Sequence, residues 1–350
     1  MFQRLFGIQA FSSLKSTNIG NHLRRTVKNY NTGARYNRFN NSNTRETSLP
    51  QFLLNESNRK YVALLLGGSG LFYVTHLEEA PVSGRKRFIW IPRSLELRIG
   101  SYSYSQILNE SSGIILPNSH PTSKRVENIF HKILDAAYKD PTVDNSLLDG
   151  IKWQIHVVND PKAPPNAFVL PGGKVFVYSG ILPICKNDDG LATILSHEFA
   201  HQLARHTSEN LSKVPLYSLL GLLLYAVTGT DSINNLILDG TLRMPASRSM
   251  ETEADHIGLM IMSRACFNPA EAVKLWHRMS EFEKSHKLGS NGVLEFLSTH
   301  PGSDRRIENM NSWLSKAQEL YSESDCHFTG NYYRGFQNTM FGTNNPDGLL

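Results

Sequence analysis

The stretch "LSHEFAHQLARHTSE", Leu195 to Glu209, sets two histidines four residues apart with a glutamate directly after the first. Four residues are slightly more than one helical turn, so His197 and His201 project from the same face of a helix. Two neutral imidazoles presented in this way can share one tetrahedral zinc ion. Glu198 lies about 100° round the helix, too far to join the stack as a third ligand. From there its carboxylate can take a proton from a water activated by the metal, the division of labour of an H-E-x-x-H motif. The flanking sequence supports a helix: Asp188 and Asp189 precede it as caps, and Leu191, Ile194, Leu195, Phe199 and Leu203 form a broad apolar stripe. The competing reading is a charged surface helix, and a chain of this length matches the motif by chance roughly a few per cent of the time.

A catalytic zinc site needs a third protein ligand. The metzincin continuation would require Gly at 204 and His at 207, where this sequence has Ala204 and Thr207, with His206 one position out of phase. The alternative is an acidic residue from a second helix. "METEADHIGL", Met250 to Leu259, is a helical run carrying Glu251, Glu253 and Asp255. Glu251 and Asp255 share a face, and Glu253 stands about 200° away from Glu251, where it is expected to carry only surface charge. One residue of the shared face can bind zinc while the other orients a histidine ligand by accepting its second N–H. An acidic helix start that merely complements the macrodipole is the plainer reading of this run.

"HEFAH", then "ETEAD" about fifty residues later, then "STHPGSDRRIENM" (Ser298 to Met310) resemble the zinc metallopeptidases of the HtpX and CAAX prenyl protease family. "PNAFVLPGGKVFVYSGIL" (Pro165 to Leu182) and the "SRSMETEADHIGL" context are similar to its Oma-type mitochondrial inner-membrane branch, whose activity overlaps that of the m-AAA protease. The resemblance spans roughly residues 125 to 315. It implies that His197, His201 and Glu251 are ligands of one catalytic zinc ion, that Glu198 is the base and that Asp255 supports the metal shell. It implies a sheet that positions substrate, here Asn166 to Tyr178 and in particular Asn166, Gly173, Val175 and Val177, with plain sheet core as the alternative. It implies substrates among inner-membrane proteins, dynamin-like fusion factors included, cleaved in stress-activated quality control. His300 is either an aid to the oxyanion or a loop residue placed by Pro301.

The remaining sequence agrees with an α+β protein: a mainly helical zincin-type domain with a small sheet, whose edge strand precedes the zinc helix, and one N-terminal transmembrane helix. The net charge of +5 is not a nucleic-acid signature, because eight basic residues precede the first acidic one, Glu46, and leave −3 for everything after them. Residues 1–45, rich in Arg, Ser and Asn, have the composition of a mitochondrial transit peptide; 46–60 form a linker. Residues 61–77 are uncharged and mostly apolar, slightly short for a span. Arg59 and Lys60 before it and Glu78 and Glu79 after it place the N-terminal side in the matrix and the domain in the intermembrane space. A basic stretch, Arg85 to Arg93, opens the domain at 85–322. An amphipathic helix is expected over Val126–Ala137, strands over Trp153–Asp160 and Gly173–Ser179, and helices over Pro269–Lys287 and Ser303–Tyr321.

The apolar run 214–229 lies between the two zinc-binding helices. A single crossing there would put His197 and Glu251 on opposite sides of a membrane, so it is expected to be core or membrane-proximal, not spanning. Cys185, Cys266 and Cys326 match no metal spacing, and their odd number favours three buried thiols. The tail, 323–350, carries no assignable chemistry, and docking onto the domain or a second copy of the chain is its expected use. The rival function is a non-proteolytic membrane chaperone or assembly factor with structural zinc. Glu198 speaks against it, because a structural site needs no base beside its ligands.

Overall fold

The computed structural model describes residues 56–228, 244–287, 300, 304–324 and 326. The transit-peptide segment, most of the linker, the segment 229–243 and nearly all of the tail lie outside them. The chain divides after Thr75 into two units.

The described part of the first unit is α1 (Glu56–Thr75). Its Leu64, Leu65, Leu66 and Leu71 are all exposed. The expected span 61–77 is not one helix. The Thr75 hydroxyl turns back to the carbonyls of Leu71 and Phe72, the helix ends there, and Leu77 already belongs to a strand. At 1.5 Å per residue the helical part of the apolar run is about 22 Å long, short of the ~30 Å of a bilayer core. Among the described residues, no helix is long and apolar enough to cross a membrane.

The second unit starts at His76, ahead of the expected boundary at 85, because a hairpin of β1 (Leu77–Glu79) and β2 (Lys86–Phe88) is built into it. The basic stretch that begins at Arg85 is partly built into the domain: Arg87 is buried and donates to the Ala204 carbonyl. Then come α2 (Arg93–Glu110) and α3 (Pro121–Lys139), the latter amphipathic as its spacing predicts.

The three-stranded sheet has the order β3 (Gln154–Val158), β5 (Lys174–Tyr178), β4 (Ala167–Leu170), with β3 parallel and β4 antiparallel to β5. β4 and β5 are joined through Gly172 and Gly173, both at positive φ, and a Cβ on Gly173 would stand 2.3 Å from Ile151. This topology corrects the substrate-strand assignment. β5 is hydrogen-bonded on both sides, so Val175 and Val177, fully buried, are core residues, and Gly173 is a turn residue. Asn166 is buried beside the turn-in to β4, where its carbonyl accepts from Tyr178. The edge is β4.

After the one-turn α4 (Leu182–Cys185) comes α5 (Asp188–Leu203), the hub of the domain, buried along its length apart from Asp188, Asp189 and His201. Its cap is Asn187, which accepts from Gly190 N, while the two aspartates occupy the first turn and complement the macrodipole. Around it pack α3, β4, α7 (Met244–Arg264) and α8 (Ala270–Lys287), and α9 (Asp304–Glu323) covers α7. α7 can approach this closely because of Gly258: a Cβ there would meet the His197 nitrogen at 3.0 Å. α6 (His206–Thr228) contains the apolar run up to its last described residue, and Val214, Leu216 and Leu219 point outward rather than into the core.

The three-thiol expectation does not hold. Cys266 and Cys326 form a disulfide across 60 residues of chain, tying the start of the tail to the end of α7, and only Cys185 is free and buried.

Candidate metal centre

Helical phase places the ligand candidates. His197 and His201 leave the same face of α5, and α7 crosses that face with Glu251 and Asp255 turned toward it. His197 Nε2 is 3.2 Å from His201 Nε2, His197 Nε2 is 3.4 Å from one Glu251 oxygen, and His201 Nε2 is 3.4 Å from the other. Four ligands at 2.0–2.1 Å in a tetrahedron are about 3.3–3.5 Å apart, so this triangle has the size that zinc requires. His300 brings a fourth nitrogen: its Nδ1 is 2.8 Å from Glu251 and 3.2 Å from His197 Nε2. Ligand atoms of all four residues lie within 4.8 Å of one another.

Glu198 stands beside this cluster. It is buried, its Oε1 accepts no hydrogen bond among the described residues, and that oxygen faces His300 Nε2 at 3.5 Å. Burial raises its pKa, which suits a group that must take and return a proton. A carboxylate left without a donor inside a protein is costly unless a small polar molecule meets it. The donor set, two imidazoles and a carboxylate with an unpartnered base alongside, therefore fits a catalytic zinc ion.

Each histidine has its other nitrogen held. His197 Nδ1 is 3.0 Å from Asp255 Oδ1. Arg306, which lies in the quoted run Ser298 to Met310 but received no role from it, grips both oxygens of Asp255 at 2.6 and 2.7 Å and stacks on Trp276. Burial would lower the His197 imidazole, but its hydrogen bonds to Asp255 and Glu251 outweigh burial and carry it up to about 9. Burial opposes ionisation of Asp255 too, yet the Arg306 guanidinium holds it below the usual carboxylate range.

His201 is held differently. Its Nδ1 lies 2.7 Å from His206 Nδ1, and His206 Nε2 lies 2.9 Å from Glu253. His206, out of phase for a third ligand, thus touches the site through His201. α5 and α6 are separated by Ala204 and Arg205, and Arg205 is in the left-handed region at φ 51°. Burial leaves the His201 imidazole well below its ordinary pKa.

Glu253 is not the surface charge that helical phase suggests. It is buried, and it accepts from Ser83 and from Arg85, whose Nε and Nη2 stand at 2.9 and 2.6 Å. The β1–β2 hairpin covers the outer side of α7, where solvent was expected. Burial pushes Glu253 up, but the hydrogen bonds from His206, Arg85 and Ser83 win and bring it down to about 2. His206, Glu209 and Glu253 resemble a second metal cluster, but the cation there is Arg85, paired with Glu209 as well, with Lys213 on its far side.

Residues 123–314 match the profile of peptidase family M48. The chain belongs to that family. It is 65% identical over 308 residues to the mitochondrial metalloendopeptidase OMA1 of Saccharomyces cerevisiae, which covers 88% of this chain and 89% of the relative. It is 42% identical over 264 residues to the mitochondrial metalloendopeptidase OMA1 of Schizosaccharomyces pombe, covering 75% and 74%. A more distant relative, the beta-barrel assembly-enhancing protease of Yersinia pestis, is 26% identical over 167 residues, 44% of this chain and 33% of the relative. As an M48 peptidase with this donor set, the chain is a metalloendopeptidase, and the chaperone reading is not favoured. Every ligand candidate lies inside the M48 segment, whereas Arg85 and its hairpin precede it.

Proposed function

We propose that the chain is a zinc-dependent endopeptidase of the mitochondrial inner membrane that cleaves membrane proteins during quality control. The observation that carries this is the zinc-sized triangle of His197, His201 and Glu251 with the unpartnered Glu198 oxygen beside it. Zinc held by those three residues supplies a Lewis acid that acidifies water and polarises a peptide carbonyl. Glu198 takes the proton of the attacking water and returns it to the leaving amine. His300, on the same side, offers a hydrogen bond to the oxyanion. Among the described residues β4 pairs with β5 alone, so its other edge can hold an extended substrate segment against α5 by strand addition. Asp255 fixes His197.

For location, the mitochondrial names of the relatives and the basic, Arg-rich first 45 residues agree. The Cys266–Cys326 disulfide fits a domain outside the reducing matrix, in the intermembrane space. We read α1 as the membrane anchor, since its leucines are exposed all round. Its short apolar run implies local bilayer thinning or snorkelling by Arg59 and Lys60. Dynamin-like fusion factors are substrates of the kind this placement allows, and a second copy of the chain is a partner of the kind it allows.

The test is zinc content alongside cleavage of a membrane substrate. Glu198→Gln is expected to keep stoichiometric zinc and lose proteolysis, and Glu251→Gln to lose both. Substantial cleavage by Glu198→Gln would remove that residue from the mechanism.

A further inference from the structure

The hairpin that precedes the M48 segment reaches the metal centre through one continuous line of hydrogen bonds. We propose that Arg85, Glu253 and His206 act together as positioning residues for His201, making the β1–β2 hairpin a working part of the metal centre. The inference rests on the zinc reading above.

The geometry fixes the direction of each proton. His201 turns Nε2 toward His197 Nε2 and Glu251, both within 3.4 Å, so that nitrogen must carry the lone pair for a metal. Its Nδ1 then bears the hydrogen and donates to His206 Nδ1 at 2.7 Å. His206, accepting at Nδ1, bears its hydrogen on Nε2 and donates to Glu253 at 2.9 Å. Glu253 is acceptor only, and it stays ionised because Arg85 supplies two N–H groups and Ser83 a hydroxyl. The carboxylate at the end of the line thus selects one tautomer for both imidazoles.

The line is also mechanically fixed. Side chains of His206 and Glu253 are only 4% and 3% exposed. Arg85 is held from a second side by Glu209, bidentate at 3.0 and 2.6 Å. The hairpin itself is anchored beside the same junction, since Arg87 donates to Ala204 and Arg205 reaches Glu78. Ligating histidines commonly give their second N–H to a carboxylate, and losing that partner lowers metal affinity about 10–100-fold. Here the carboxylate acts one imidazole further out.

The experiment uses the full-length protein in detergent, with zinc and cobalt(II) as probes. Four readouts are taken: zinc affinity by competition with a chelator, the visible spectrum of the cobalt(II) form, kcat and KM separately, and thermal unfolding. His206→Leu is expected to lower zinc affinity about 10–100-fold, shift the cobalt bands and lower kcat more than KM changes. His206→Gln, whose amide can accept from His201 and donate to Glu253, is expected to recover most of each. Arg85→Gln and Glu253→Gln should shift the cobalt bands in the same direction, and combining Glu253→Gln with His206→Leu should add little. If His206→Leu does not fold, Glu253→Gln and Arg85→Gln decide alone. Folded variants with wild-type zinc affinity and an unchanged cobalt spectrum would overturn the proposal, as would full additivity of the double variant. A wild-type protein that binds no zinc would sink the metal reading instead, which keeps the two failures apart.

Discussion

His197 and His201 sit one turn apart and face one point, yet the protein secures them by unlike routes. The His197 route is short and closed inside the domain: Asp255 on α7, backed by Arg306 on α9. The His201 route is longer and passes outward through His206 and Glu253 to Arg85 on the hairpin. Both routes end in a carboxylate clamped by an arginine, and both carboxylates come from α7. Glu251 and Asp255 use the face of α7 turned toward α5, while Glu253 uses the other. A helix wrapped on both sides can thus supply a ligand and both supports within five residues. The difference lies in solvent: Arg306 is 6% exposed and Arg85 28%, so the inner route carries the larger electrostatic stake.

Breaking the inner route should cost most. Asp255→Ala leaves the Arg306 guanidinium buried without its carboxylate, a loss of about 3–5 kcal/mol. Thermal unfolding is expected to fall by roughly 6–20 °C for a domain of this size, with zinc affinity reduced as well. A shift below ~2 °C would show that the two routes are not unequal in the way the burial implies. A smaller effect is expected from Gly258→Ala, whose new methyl must displace the His197 backbone at 3.0 Å. Such overpacking costs about 1–3 kcal/mol, and the loss should show in denaturant midpoint at unchanged slope. If the His201 route is independent, the Gly258 and His206 variants should combine additively.

The last effect is confined to acid. Glu253 has its carboxyl lowered to about 2 in the folded protein, against ~4.3 unfolded. A depressed carboxylate contributes stability that is fully present above the unfolded value and lost as pH falls toward the folded one. Between pH ~4.5 and ~2, wild type should therefore lose more stability than Glu253→Gln, measured by urea midpoints across that range. Parallel curves would show that Arg85 and His206 do not hold Glu253 ionised.

How much of this was legible beforehand follows from sequence distance. The four-residue spacings at His197–His201 and Glu251–Asp255 determine shared faces on helices, so those positions could be read without a structure. The same logic misplaces Glu253, because a helical wheel gives direction but not what lies in that direction. The hairpin covering it comes from about 170 residues earlier in the chain. Arg306 stands in the quoted run Ser298 to Met310, but spacing alone gives it no role until α9 is laid over α7. Strand order in the sheet and the pairing of Cys266 with Cys326 are likewise long-range outcomes, invisible to local periodicity.

The two-residue break between α5 and α6 has a consequence of its own. In one unbroken helix, five positions separate His201 from His206, a rotation of about 140° that would turn the rings apart. Arg205, in its left-handed conformation, resets that angle like a vernier, and the two imidazoles meet at 2.7 Å. The interruption is therefore a clocking device. The number of residues in it matters to the centre as much as their identity, and it explains how a histidine one place out of step for ligation becomes the neighbour of the ligand before it.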